Sequence, residues 1–296
     1  MLIRLRAGGR THVGRVRALN EDVYSLHTAD GLFVVCDGMG GCPAGEVASQ
    51  LAADAIVDEL TGRTRAHGAA RRFQASGPCQ ASDALQASGS ARVEERRYLA
   101  QTIRLADAVR HSNQIVFSRA QEDPSRAGMG TTVVGAWING HVASIAHVGD
   151  SRAYLWHRDT LEQLTSDHSL VEAEVRAGLL SREAGQHAEQ QNILLRALGR
   201  EPSVEVELTE VLMQRGDCLL LCSDGLTRTV PDCALSQALG DIRDPQRVCD
   251  YLVDAANRSG GPDNITVVVV ELAAGWLRRM ASRVDATPWR KTRWRS

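Results

Sequence analysis

Two patterns alternate along the chain: short runs in which nearly every position is apolar, and stretches in which apolar residues recur every three or four positions. The first marks buried strands, the second helices that bury one face. Residues 23–36 read as two strands around Asp30-Gly31, a hairpin-favouring dipeptide, the second strand being Leu32-Phe33-Val34-Val35-Cys36. Val47, Leu51, Ala55, Ile56 and Leu60 then fall at helical spacing and predict an amphipathic helix over 45–60. A second helical pattern runs through Leu99, Ile103, Ala106, Val109 and Val116.

After Gly128 the pattern changes to strands: 131–138, a turn at Asn139-Gly140, 142–148, then 152–156. Strand follows strand without an intervening helix, which predicts an antiparallel meander rather than repeated βαβ units. Residues 165–200 are polar and helical with no clear apolar face and are expected to form a flap. Residues 204–208 alternate like a half-exposed strand, whereas 218–222 and 265–272 are continuous apolar strands. Leu235, Leu239, Val248, Leu252 and Val253 predict short helices between those two. The fold class that follows is α+β, with antiparallel sheets and helices packed outside.

Composition narrows this picture. A chain of 296 residues with 43% hydrophobic and 24% charged content is neither disordered nor fibrous, and it can bury one large core. Residues 61–97 break the pattern with stretches such as QASGPCQASDALQASGSAR, a low-complexity insertion expected to be a mobile loop. The formal net charge of −2 argues against a general nucleic-acid binder. It conceals a basic tail: Arg278, Arg279, Arg283, Arg290, Lys291, Arg293 and Arg295 face only Asp285, so the remainder is acidic. Trp276, Leu277, Met280 and Val284 place an apolar stripe among those arginines, a segment suited to weak contact with an acidic membrane surface or a partner protein.

Cys36, Cys42, Cys79, Cys218, Cys222, Cys233 and Cys249 are odd in number and match no CxxC pair, which predicts reduced thiols rather than a disulfide framework or zinc site. The first fifteen residues lack the apolar stretch of a secretory signal and no run is long enough to span a bilayer, so the expected location is cytoplasmic.

One local pattern recurs. Leu32 to Cys36 delivers Asp37-Gly38, and Leu219 to Cys222 delivers Ser223-Asp224-Gly225. Residues 145–148 lead into Gly149-Asp150, Asp263-Asn264 immediately precedes the strand from Ile265, and Glu21-Asp22 precedes the strand from Val23. A carboxylate at the mouth of a dry strand is costly to leave unpaired, and few cationic residues lie nearby in sequence. If these strand ends converge, their carboxylates, a backbone carbonyl and water form a hard oxygen cage suited to Mg²⁺ or Mn²⁺. Two such ions polarise a phosphoryl oxygen and activate water, so the implied chemistry is phosphoester hydrolysis. Other motifs fare poorly: Pro43 stands where a dinucleotide fingerprint needs its third glycine, and a strand rather than a helix follows Ser151 of a hydrolase-like elbow.

Arg17-x-x-Asn20-Glu21-Asp22, Asp37-Gly38-Met39-Gly40-Gly41, Gly45-Glu46, Gly130-Thr131-Thr132, Gly149-Asp150-Ser151-Arg152, Ser223-Asp224-Gly225 and Pro262-Asp263-Asn264 occur in this order. Together they resemble the bacterial branch of the metal-dependent protein Ser/Thr phosphatases (PPM, type 2C), over residues 14–272. The resemblance implies a central antiparallel β-sandwich flanked by helices on both faces (αββα), a phosphatase domain over 1–272 with a separate basic tail over 273–296, and two or three Mn²⁺ or Mg²⁺ ions. In that picture Asp37 bridges the two main ions, the Gly38 carbonyl helps hold one, and Asp224 and Asp263 bind the other. Glu21 or Asp22 completes the set directly or through water, and Asp150 with Asp224 matches a weaker third position. Arg17 matches the arginine that grips substrate phosphate, a role suited to its planar fork.

The implied reaction is attack by metal-activated water on phosphoserine or phosphothreonine in proteins, by a monomer that opposes a cognate Ser/Thr kinase. Three features depart from the family pattern: Met39 where eukaryotic members carry a histidine proposed as general acid, Arg228 four residues after Asp224, and the long 61–97 insertion. His168, in the expected flap, is a candidate proton donor in place of that histidine. The rival readings are a phosphoprotein-binding module on the same fold, against which the intact Asp37, Asp224 and Asp263 speak, and a phosphatase of small phosphorylated metabolites.

Overall fold

The computed structural model describes residues 4–39, 44–62, 98–185, 190 and 193–273. The basic tail and its apolar stripe, residues 63–97 of the insertion, and Cys42 and Cys79 lie outside the described residues.

Among the described residues, ten strands form two five-stranded sheets, all of whose pairings are antiparallel. The first holds β1 (Arg4–His12), β10 (Ile265–Ala273), β9 (Cys218–Cys222), β6 (Arg152–His157) and β7 (Thr160–Gln163), in that order. The second holds β2 (Asp22–His27), β3 (Leu32–Asp37), β4 (Val133–Asn139), β5 (Val142–Val148) and β8 (Glu207–Leu212). Phe33, Val35, Val134, Ile145, Leu155, Leu219, Leu221, Val268 and Val270 fill the space between the sheets.

The same strands are apolar on their outer faces, which is why they read as continuous rather than alternating runs. Val34 and Cys36 pack with α1 (Gly45–Thr61) and α2 (Ala100–Glu122) through Ile56, Leu105 and Val109. On the opposite face Tyr154, Leu220, Val267 and Val269 meet α6 (Asp232–Asp241) and α7 (Pro245–Arg258) through Leu235, Leu239, Leu252 and Val253. The result is the αββα sandwich expected from the sequence. The described residues also include three short α-helices, α3 (Leu170–Arg176), α4 (Arg182–Gly185) and α5 (Asp224–Thr227).

Four details differ from the pattern reading. The strands after Gly128 are not one meander: β4 and β5 pair, but β6 crosses to the other sheet. Gly149 makes that crossover with φ at 110°, and a Cβ there would lie 2.6 Å from Thr132. The strand expected over 204–208 is β8, displaced to Glu207–Leu212. β1 escapes hydropathy because Gly8 and Gly9 dilute it, yet both glycines are sterically required. A Cβ on Gly8 would stand 2.4 Å from the Gln246 backbone of α7, and one on Gly9 would stand 2.6 Å from the Tyr24 ring. β7 is hidden because its hairpin turns through Arg158 and Asp159, both at positive φ, without a glycine to announce it. The expected flap is partly helical, as α3 and α4, and it returns to the body through the bridges Ser169–Leu194 and Thr131–Leu198.

Candidate metal centre

Antiparallel pairing brings the acidic strand ends together. Asp22 opens β2 and Asp37 closes β3, and the two are directly paired. In the other sheet Val267 of β10 stands opposite Cys222, so Asp224, just after β9, and Asp263, just before β10, share one end. Asp150 sits in the β5–β6 crossover at that same end of the sandwich. Arg17, Asp37, Gly38, Met39, Asp150, Asp224, Arg228 and Asp263 line one cavity of about 820 Å³, together with most of the segment 193–205.

Local bonds fix each group. The Asp37 amide donates to Thr132 Oγ1 at 3.1 Å, and its carbonyl accepts from the Thr132 amide at 2.8 Å and from Thr131 Oγ1 at 2.9 Å. The Gly38 amide donates to the Glu21 carbonyl at 3.1 Å, and a Cβ on Gly38 would lie 2.4 Å from the Gly45 carbonyl oxygen. Ser223 Oγ donates to Asp22 Oδ2 at 2.7 Å. Asn264 acts as a clamp: its Nδ2 donates to the Val13 and Leu19 carbonyls, each at 2.9 Å, and its Oδ1 accepts the Glu21 amide at 2.8 Å. That clamp holds the segment carrying Arg17 and Glu21. Asn264, Thr132 and Ser223 lay inside the motifs read from the sequence, but nothing there revealed them as supports.

Electrostatics set the demand for cations. Burial, then the neighbouring carboxylates, hold Asp37 well above the usual range, and burial followed by Asp224 and Asp167 does the same to Asp150. Asp22 is pushed up to about 7 by burial, despite bonds from the Thr266 and Ser223 hydroxyls, and its Oδ1 is buried without a hydrogen-bond partner. Asp224 and Glu21 are also raised, in both cases chiefly by burial. Two guanidinium groups partly balance the cluster. Arg17 bonds Asp263 Oδ2 at 2.9 Å, while Arg228 pairs with Asp224 and lies 3.6 Å from Asp263. Five aspartates and Glu21 still outnumber two arginines. A set made only of oxygen donors, crowded, buried and with an orphaned carboxylate oxygen, fits hard divalent cations.

The structure gathers most of the residues singled out in the sequence, but not all of them, at this cavity. Arg17, Asp37, Gly38, Asp150, Asp224 and Asp263 line the cavity. Glu21 and Asp22 stand next to it without lining it, Asp22 paired with Asp37 and the Glu21 carbonyl accepting the Gly38 amide, and His168 does not line it either. It is buried behind Gly149, its Nδ1 accepting the Gly149 amide at 3.2 Å. That placement removes it from the role of proton donor to a leaving group.

The Protein phosphatase 2C family model matches residues 9–274. The chain belongs to the protein phosphatase 2C family. It is 37% identical over 270 residues to the serine/threonine phosphatase stp of Listeria innocua, covering 90% of this chain and 96% of that one. Among solved structures, the Mycobacterium tuberculosis serine/threonine phosphatase PstP/Ppp gives a TM-score of 0.73 at 32% identity, over 92% of this chain and 100% of that chain. The catalytic domain of PstP in complex with two manganese ions gives 0.72 at 32% identity, with the same coverage. The chain is thus a metal-dependent serine/threonine protein phosphatase, an enzyme rather than a binding module, with Mn²⁺ or Mg²⁺ as cofactor. Among the described residues, no helix of the phosphatase is long and apolar enough to cross a membrane.

Proposed function

We propose that Asp37, the Gly38 carbonyl, Asp224 and Asp263 hold two Mn²⁺ or Mg²⁺ ions, that Glu21 and Asp22 complete their surroundings, and that Asp150 with Asp224 holds a weaker third. Such ions, when bound, polarise the phosphoryl group and lower the pKa of water. The chain's own residues do the remainder. Arg17 swings from Asp263 to the substrate phosphate, offering a planar fork to two phosphoryl oxygens. Thr131 and Thr132 fix the Asp37 backbone, and the Asn264 clamp fixes the Arg17 segment. Arg228 screens Asp224 and Asp263 from each other. Residues 193–205 wall the cavity and reduce the water around the phosphate.

One observation carries this reading: carboxylates from distant chain segments line one cavity, and of the four arginines lining it only Arg17 and Arg228 form described ion pairs with the central aspartates. The enzyme acts on phosphoserine and phosphothreonine of cytoplasmic proteins as a monomer and opposes a Ser/Thr kinase. Residues 1–272 form the phosphatase domain, and the basic tail over 273–296 makes weak contacts with an acidic membrane surface or a partner protein. Hydrolysis of phosphothreonine peptides under Mn²⁺, Mg²⁺ or EDTA tests it. Turnover is expected to need the ion, to vanish in Asp37→Asn, and to exceed turnover of small phosphorylated metabolites; faster turnover of metabolites would contradict the substrate class.

A further inference from the structure

His147, His168 and Glu207 meet behind the Gly149–Asp150 crossover, and none of them lines the phosphatase cavity. The β5–β8 register sets His147 opposite Glu207, and His168 closes over them with its ring centroid 4.3 Å from that of His147. The hydrogen bonds assign the tautomers. His147 Nε2 donates to the Gly149 carbonyl at 2.9 Å, which leaves Nδ1 a bare lone pair, and that atom is buried without a partner. His168 Nδ1 accepts the Gly149 amide, so its Nε2 carries the proton and donates to Glu207 Oε2 at 3.2 Å.

A buried, unsatisfied acceptor in a folded protein calls for an explanation. An imidazole anchored through one nitrogen on a backbone carbonyl, with the other nitrogen bare, is how metal-ligating histidines are commonly held. Ligand atoms of the three residues all lie within 4.8 Å of one another. A tetrahedral ion with nitrogen and oxygen ligands holds its donors about 3.4 Å apart, so a small inward movement closes the set. His147 and His168 are buried, while the Glu207 side chain keeps 34% of its surface exposed, which provides an entry path and room for a water as fourth ligand.

We propose that His147 Nδ1, His168 Nε2 and the Glu207 carboxylate form a second metal site, separate from the carboxylate centre, for a borderline divalent ion of the Zn²⁺ class. Two imidazoles favour such ions over Mg²⁺ and Mn²⁺. Ligation also couples the two sites. His168 must give up its Nε2 proton to solvent and take one at Nδ1, where the new N–H faces the Gly149 N–H. The 3.2 Å bond between them is then lost, and Gly149 directly precedes Asp150. Occupation therefore disturbs Asp150 and slows the phosphatase; this consequence rests on the role proposed for Asp150, whereas binding itself does not.

The full chain, held in excess Mg²⁺, is titrated with Co²⁺, whose visible absorption intensifies in tetrahedral coordination. Tetrahedral bands are expected to saturate at roughly one ion per chain, to disappear on Zn²⁺ addition, and to persist in Asp224→Asn. In Glu207→Gln and His168→Gln the affinity is expected to fall about tenfold or more, with circular dichroism reporting the fold. Glu207→Gln alters a partly exposed side chain and keeps the test open if the buried histidine variant fails to fold. Under Mg²⁺, Zn²⁺ should lower wild-type turnover and lose that effect in Glu207→Gln. Absent bands, bands unchanged in Glu207→Gln, or bands abolished by Asp224→Asn would overturn the site. Zn²⁺-insensitive turnover with the bands present would overturn its link to Asp150.

Discussion

Asp22→Asn isolates the cost of a buried charge at the heart of the centre. Asp22 is 4% exposed, its Oδ1 has no hydrogen-bond partner, and burial lifts its carboxyl from 3.8 to about 7. Below the unfolded value the group is protonated in both states and costs nothing. As pH rises through the interval to about 7, the unfolded chain releases the proton while the folded chain keeps it, so stability falls. About three pH units at about 1.4 kcal/mol each give a penalty of at most ~4 kcal/mol once pH exceeds the folded value. Asparagine keeps the shape and removes the charge. In EDTA at about pH 8, Asp22→Asn should therefore melt higher than wild type by up to roughly 8 °C, at about 2 °C per kcal/mol for a chain of this size. The difference should shrink as pH falls to about 4 and reverse when saturating Mn²⁺ stabilises the intact site by mass action. Differential scanning calorimetry in EDTA across that range decides it. A variant that melts below wild type at the alkaline end, or a gap independent of pH, would show that the Asp22 charge is not the destabilising element.

Three further substitutions probe the supports. Asn264→Ala removes three hydrogen bonds of 2.8 to 2.9 Å and should cost about 3 kcal/mol in urea denaturation, with a raised KM for phosphopeptide as Arg17 loses its mooring. Arg228→Gln takes a cation away from Asp224 and Asp263, so Mn²⁺ half-saturation measured by isothermal titration calorimetry should fall about tenfold, the equivalent of about 1.4 kcal/mol; an unchanged or weaker affinity would contradict the screening role. Gly8→Ala drives a Cβ to 2.4 Å from the Gln246 backbone and should lower stability by about 1–3 kcal/mol without altering Mn²⁺ affinity, since no residue of β1 lines the cavity.

The elements that bear the chemistry were legible because burial and function coincide there. Leu32 to Cys36 and Leu219 to Cys222 are apolar on both faces, so hydropathy found β3 and β9, and the aspartates ending them followed directly. The carboxylates were nameable from local sequence, but their convergence depends on antiparallel register, which hydropathy does not encode. The hidden strands have local causes. Gly8 and Gly9 are selected by close approach of α7 and Tyr24, and Arg158-Asp159 turns without the residues that usually signal a hairpin. His168 misled because a polar stretch suggested a surface flap, whereas hydrogen bonds to Gly149 and Glu207 offset its burial. Asn264 was visible as a motif letter and invisible as a clamp, since its partners Val13, Leu19 and Glu21 lie some 240 residues away in sequence.

In the proposed centre, carboxylates from both sheets hold a pair of divalent ions at one end of the sandwich. Mn²⁺ stoichiometry by equilibrium dialysis of the full chain, run beside Asp37→Asn with its fold verified by calorimetry, tests it most directly. Wild type is expected to bind at least about two ions, and Asp37→Asn to lose both tight binding and phosphopeptide turnover. A folded Asp37→Asn that retains the wild-type complement of Mn²⁺ and its turnover would contradict it.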